Sequence, residues 1–269
     1  MKLSVLIPSK NELYLEKTRQ DVLSRARGDV EVLVYEDKGI GNGLRHGINE
    51  MVKKATGDYL LKLDAHCMLD GGFDLKLIEA HHPNWVQIPR RKRLDAERWM
   101  VIEDGREPVD YEHLVFRNLV SSEGQLSSKG FIWGTPWDTL TRDRKDILID
   151  NTPHFQGSCW FMSKEWFQEC SFMDLLYGGF AQESEEILFT TLKRGGEVKV
   201  NKNTWYAHLH KNKEAREWFR LDSEDMKTGY THSYNLWVDK NRELFEKYIN
   251  SFPLMPDWPL NWKQILWSN

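Results

Sequence analysis

Three short apolar runs, Leu3–Ile7, Val30–Tyr35 and Asp58–Leu63, alternate with two stretches of helical character, Asn11–Ala26 and Leu44–Ala55. Strand and helix signals in alternation are those of crossover units, which lay their strands parallel in one sheet and their helices on its faces. Pro8 closes the first run, and Gly28 and Gly57 close the helical stretches. Leu44, Ile48, Met51, Val52 and Ala55 recur at helical spacing. Acidic residues follow each run: Glu12 after the first, Glu36 and Asp37 after the second, Asp64 after the third. Open α/β sheets bind ligands outside the carboxyl ends of their strands, so these positions suggest one shared crevice.

Beyond the third run the pattern loosens. From Pro89 to His154 the chain reads as irregular, opening with Arg90-Arg91-Lys92-Arg93 as a loop after a fourth strand and including the aromatic stretch Phe131–Trp137. Regular signals return as a strand at Gly157–Met162, a helix at Glu183–Lys193 stopped by Gly195-Gly196, and a strand at Val198–Val200. Glu214–Ile249 reads mostly as helix, and the tail carrying Trp258, Trp262 and Trp267 is expected to wrap over the domain and bury them. The expected architecture is α/β: a mixed, mainly parallel sheet flanked by helices over residues 1–211, and a helical C-terminal extension over 212–269 packed on it.

A length of 269 residues suits one large α/β domain or two small ones. A net charge of −4 argues against a surface coated in basic charge, although a local patch remains compatible. Cys67, Cys159 and Cys170 have no C-x-x-C spacing, which implies neither a disulfide framework nor a zinc ribbon and fits a reducing compartment. No stretch reaches the ~20 apolar residues of a membrane span, and the N-terminal run is too short for a signal peptide. The expectation is a cytoplasmic protein without a membrane span.

Asp64 and His66 stand two apart on an extended segment, so their side chains point the same way and can converge. A carboxylate with an imidazole suits a borderline divalent ion such as Mn²⁺ better than Mg²⁺, which prefers oxygen, although Mg²⁺ is possible. An Asp-x-His at a strand end is, by itself, more often structural. Glu183, Glu185 and Glu186 fall at a helix N-terminus, where negative charge is favourable whatever else it does. Arg90, Arg91, Lys92 and Arg93 read as a solvated loop or as a phosphate-contacting one.

Several of these strings together resemble the GT-A glycosyltransferases, in particular family 2 and the polypeptide N-acetylgalactosaminyltransferases. Leu6-Ile7-Pro8-Ser9-Lys10-Asn11-Glu12 is similar to the opening strand and turn of family 2, and Val34-Tyr35-Glu36-Asp37-Lys38-Gly39 to the acidic turn that holds the uridine. Leu63-Asp64-Ala65-His66-Cys67 resembles the Leu-Asp-x-His-Cys metal motif of the N-acetylgalactosaminyltransferases. Gly157–Phe161 looks like the family's Gly-Gly-Leu-Phe strand. Phe180-Ala181-Gln182-Glu183-Ser184-Glu185-Glu186 occupies the place of Trp-Gly-Gly-Glu-Asn-x-Glu, with the leading Trp-Gly-Gly replaced. The resemblance covers roughly residues 3–211.

It implies a GT-A fold and a nucleotide-sugar donor, a UDP-sugar, contacted by Pro8, Glu12, Asp37 and Asp64. It implies a divalent metal held by Asp64, His66 and His208, with His210 as rival to His208. It assigns catalytic, acceptor-side roles to Glu183 and Glu186. Family 2 inverts and needs a base, whereas the N-acetylgalactosaminyltransferases retain; motifs of both are present. The acceptor expected is a glycan hydroxyl. The alternative is a hydroxymethylated base of phage DNA, bound through Arg90–Arg93, and the alternative of another class is a non-catalytic nucleotide- or glycan-binding module.

Overall fold

A computed structural model describes residues 1–37, 43–116, 134–210 and 223–267. In chain order its elements are β1 (Lys2–Ser9), α1 (Leu15–Arg25), β2 (Asp29–Glu36), α2 (Gly43–Lys54), β3 (Tyr59–Leu63), β4 (Cys67–Leu69) and α3 (Phe73–Glu79). There follow β5 (Trp85–Asp95), β6 (Met100–Val101), β7 (Glu112–Leu114), β8 (Gly134–Pro136), α4 (Asp138–Asp143), β9 (Ile149–Asn151), β10 (Cys159–Ser163), α5 (Lys164–Cys170), α6 (Glu183–Lys193) and β11 (Glu197–His208). The main sheet runs β2-β1-β3-β10-β5-β11-β4, with β6 on β5 and β9 on β11. Its longest pairings, β1 with β2 and β5 with β11, are parallel, as is β1 with β3; β10 is antiparallel to both of its neighbours. This is the mixed, mainly parallel sheet expected.

Alternation along the strands sorts the core onto two faces. Leu3, Val5 and Ile7 of β1 join Leu61, Leu63, Phe73 and Leu77 on one side. Leu6 and Leu60 join Ile48, Met51 and Val52 of α2 and Ile187, Leu188 and Phe189 of α6 on the other. Each of these side chains is at most 5% exposed, worth roughly 1.5–3 kcal/mol apiece for a fully buried large aliphatic or aromatic group.

The structure corrects the sequence expectations in four places. The first helix starts at Leu15, not Asn11, because Asn11 takes a left-handed backbone (φ 52°) and turns the chain before the helix begins. Arg90–Arg93 is not a loop; it lies inside β5, paired in register with β11 from Trp205↔Arg90 to His208↔Arg93. The strand expected at Val198–Val200 is longer, Glu197–His208. Its register with β5 jumps between Asn201 and Trp205, opposite the step from Pro89 to Arg90. Pro89 has no N–H to offer the ladder, and the extra residues of β11 bulge out there. Finally, from Ser223 the helical stretch breaks into a helix Ser223–Ser233, a π-helical turn Tyr234–Lys240 and a helix Arg242–Asn250.

The C-terminal segment shares the core of α6. Phe189 stacks on Trp237 and packs against Phe245 and Tyr248. Trp258 and Trp262 are buried, the Trp258 Nε1 donates to the Leu114 carbonyl, and the Trp267 Nε1 donates to that of Val238. The tail therefore buries its indoles by docking both ring and N–H. The expected boundary at 211/212, Lys38 and Gly39 of the acidic turn, Phe131–Trp133 and residues 214–222 lie outside the described residues. Among the described residues, no helix is long and apolar enough to cross a membrane.

Candidate functional site

β3 delivers Asp64 and His66 at its carboxyl end, and the chain turns directly into β4. β4 pairs antiparallel with the end of β11 in a register that sets His208 opposite Cys67, one residue beyond His66. Two backbone bonds fix the corner: Asp64 N–H donates to the Ser158 carbonyl and Leu209 N–H to that of His66. The side chains meet as a result. His66 Nε2 lies 3.0 Å from His208 Nε2, and Asp64 Oδ2 lies 3.4 Å from His208 Nε2 and 3.8 Å from His66 Nε2. Among the described residues these three are the group whose donor atoms, all within 4.8 Å of one another, could hold a metal ion. His210 is not among them.

The donor set fits a cation. Ligands at right angles on an ion, with bonds of about 2.1 Å, stand about 3.0 Å apart, which is the spacing of the two Nε2 atoms. Burial pushes the His208 imidazole down to about 3, against the opposing effect of its hydrogen bond to Asp64, so it is neutral and can serve as a ligand. Burial would raise the Asp64 carboxyl, but Lys62 and the two imidazoles outweigh it and hold it well below the usual carboxylate range. Behind His66, Glu12 Oε2 lies 3.2 Å from Nδ1, the carboxylate–histidine pairing that orients metal-binding imidazoles. Asp64 keeps 27% of its side chain exposed while both histidines are buried, so the cluster opens to solvent through the carboxylate.

On the inner side stands Lys62, 1% exposed. Its Nζ donates to Asp64 Oδ1 (2.7 Å) and the Gly157 carbonyl (2.6 Å), and lies 3.4 Å from Glu183 Oε2. Burial would lower its pKa; Asp64 and Glu183 outweigh that and raise it, so it is an ammonium. Trp160, directly opposite Lys62 on β10, donates Nε1 to Glu183 Oε1 at 2.7 Å. Burial raises the Glu183 carboxyl, with Lys62 and the Trp160 bond opposing. A Cβ at Gly157 would stand 2.7 Å from Glu183 Oε2, so any larger residue there would displace that carboxylate.

The remaining expected site residues are placed unequally. Asp37 follows β2 beside β1, its N–H donating to Ser9 O and its carboxylate 3.7 Å from Lys10 Nζ; Pro8 pairs in register with Tyr35. Glu12 sits beside His66. Glu186, expected beside Glu183 in a catalytic role, has other partners than Glu183 has. It is ion-paired with fully buried Arg45 of α2 and accepts the Asp174 N–H, so one helical turn points Glu183 and Glu186 at different partners. The basic run is also corrected: Arg90 pairs with Asp110, Arg91 with Glu112 and Arg93 with Asp104, while Lys92 lies over the Trp205 ring. Sequence reasoning missed Lys62 and Arg45. The available signal for Lys62 was a charge in the otherwise apolar Tyr59–Leu63; Arg45 carried none.

A mixed sheet that places an Asp-His-His donor set at the end of its third parallel strand is the class of fold called GT-A. No protein-family model matches the chain. Human polypeptide N-acetylgalactosaminyltransferase 15 is 22% identical over 200 residues, which cover 72% of this chain and 29% of that protein. Human polypeptide N-acetylgalactosaminyltransferase 3 is 22% identical over 279 residues, covering 90% of this chain and 42% of that protein. The chain thus spans less than half the length of these relatives. Among solved structures, GalNAc-T7 with UDP, GalNAc and Mn²⁺ superposes with a TM-score of 0.69 at 16% identity, covering 98% of this chain and 55% of that one. S. aureus TarS (residues 1–349) with UDP superposes at 0.51 and 14% identity, covering 98% and 77%. The resemblance read from the motifs therefore holds in sequence and in fold: the chain is similar to the polypeptide N-acetylgalactosaminyltransferases and folds as GT-A.

Proposed function

We propose that this chain is a glycosyltransferase that moves a sugar from a UDP-sugar to a hydroxyl acceptor, with a divalent cation, Mn²⁺ by preference, at Asp64, His66 and His208. The observation that carries the reading is the convergence of three ligand atoms at the carboxyl end of β3 in a GT-A sheet. A bound cation would stabilise the charge gathering on the diphosphate as the glycosidic bond breaks. The chain's own residues do the rest. His208 stays neutral and ready to ligate, Glu12 orients His66, and Asp37 at the end of β2 accepts from the uracil or ribose. Glu183, held at the inner side of the cluster by Trp160 and Lys62, faces the acceptor side, and Glu186 braces α6 against α2 through Arg45.

A glycan is the acceptor this reading favours. The DNA alternative leaned on a free basic loop, and the pairing of Arg90, Arg91 and Arg93 with carboxylates removes its support. A panel of nucleotide sugars with Mn²⁺, read as released diphosphate with and without glycan acceptors, tests the proposal. Mn²⁺-dependent release from a UDP-sugar, accelerated by one acceptor class, is the expected result. No release from any donor, with UDP bound equally well in chelator, would leave a binding module.

A further inference from the structure

Lys62 puts a cation into the face of β3 that it shares with Leu60, where the neighbours are otherwise core. Three acceptors surround its Nζ: Asp64 Oδ1, the Gly157 carbonyl and, more loosely, Glu183 Oε2. An ammonium has three protons to donate, so the group is used up within the protein and has none left for substrate. The two oxygens of Asp64 are thereby divided. Oδ1 belongs to Lys62, while Oδ2 is the one that faces both imidazoles.

A free carboxylate can grip a cation with one oxygen or with both. We propose that Lys62 is a positioning residue that restricts Asp64 to one-oxygen ligation, which keeps room around the cation for the diphosphate of the donor. The inference rests on the metal-dependent reading above. With both oxygens engaged, Asp64, His66 and His208 would fill four positions of a six-coordinate ion; with one they fill three. The position released is one that a phosphate oxygen or a water can take. Trp160, which faces Lys62 across the β3–β10 pairing, closes the pocket around the ammonium and holds Glu183 from its other side.

The test is Lys62→Met, which keeps the length of the side chain and removes its donors. Folding is checked by thermal melting, Mn²⁺ affinity by EPR titration, and UDP affinity at saturating Mn²⁺ by calorimetry. The expected result is Mn²⁺ binding unchanged or tighter, with UDP binding weakened about 10-fold or more, the lower end of what outer partners of metal ligands contribute. Unchanged UDP affinity overturns the proposal. So does equal weakening of Mn²⁺ and UDP, which a merely structural lysine would produce. If Lys62→Met does not fold, a crystal structure of the wild-type protein with Mn²⁺ and UDP decides. Oδ1 on Lys62 and Oδ2 on the ion supports the proposal; an Asp64 bound through both oxygens overturns it. A wild-type protein that binds no Mn²⁺ would end the metal reading itself, whereas Mn²⁺ binding with an indifferent Lys62→Met ends only this inference.

Discussion

Two buried clusters of ionisable groups lie close together on the sheet and are put together differently. In one, Arg91 pairs with Glu112 at 2.6 Å, Glu112 lies 3.4 Å from His154 Nδ1, and His154 Nε2 lies 3.0 Å from Glu185. Signs alternate along that row, and each member finds its counterpart within the protein. In the other, two imidazole nitrogens face each other 3.0 Å apart with a carboxylate oxygen beside them. There the lone pairs converge, and the nearby Lys62 ammonium engages only the other oxygen of Asp64. A closed row of charges holds structure together; converging donor atoms are a set that could hold a cation.

Substitution should separate the two. Asp64→Ala or His208→Ala removes a ligand from the open cluster, and transfer should fall about 10²-fold or more while the protein stays folded. Mn²⁺-dependent activity that survives in either variant would break the contrast. Glu183→Gln keeps an acceptor for Trp160 and removes the charge. We expect kcat lower by about 10²-fold with UDP affinity nearly unchanged, read by steady-state kinetics and calorimetry. A normal kcat would leave Glu183 a structural residue.

In the closed row the readout is stability. His154→Ala leaves the buried Glu185 carboxylate without its charged partner and Glu112 with Arg91 alone, and should cost about 3–5 kcal/mol in denaturant unfolding, with Mn²⁺ affinity retained. Its pH dependence has a definite sign. Burial opposes protonation of His154, but Glu112 and Glu185 outweigh it and raise its pKa to about 9. The stabilisation is therefore complete below about 6.5 and is lost as pH rises through 9. Burial opposes ionisation of Glu112, yet Arg91 and His154 lower it to about 2, so its contribution is present above about 4.5 and is lost as pH falls towards 2. Melting temperatures that stay flat from pH 6 to 9.5 would break this account. The smallest effect belongs to Lys92→Ala with Arg93→Ala, both on partly exposed side chains. Stability should change by under ~1 kcal/mol, and gel shifts on plain or hydroxymethylated duplex should show no salt-sensitive binding to lose.

How much of this could be read from the residues differed by type of information. The crossover units and the metal motif were legible because they are local: Leu63-Asp64-Ala65-His66-Cys67 needs only strand periodicity to converge. The third member of the cluster was legible by resemblance but not by spacing, since whether His208 or His210 reaches Asp64 depends on the register of β11 against β4. The basic run was misjudged because its counter-charges, Asp104, Asp110 and Glu112, come from a later segment whose pairing no periodicity reveals. The partner of Glu186 was hidden for a similar reason: Arg45 reaches it from α2, 141 residues away in sequence.

The bulge opposite Pro89 makes the length of β11 as decisive as its composition. Removing one residue between Asn201 and Trp205, if passed on along the strand and not taken up by the bulge, would draw His208 back by about 3.3 Å and turn its ring to the opposite face of the sheet. All three residues of the cluster would still be encoded, yet they could no longer meet. An alignment that scores only whether Asp, His and His are conserved would call such a chain intact. Homologues should therefore be sorted first by the number of residues across this bulge, and only then by the identity of the ligands.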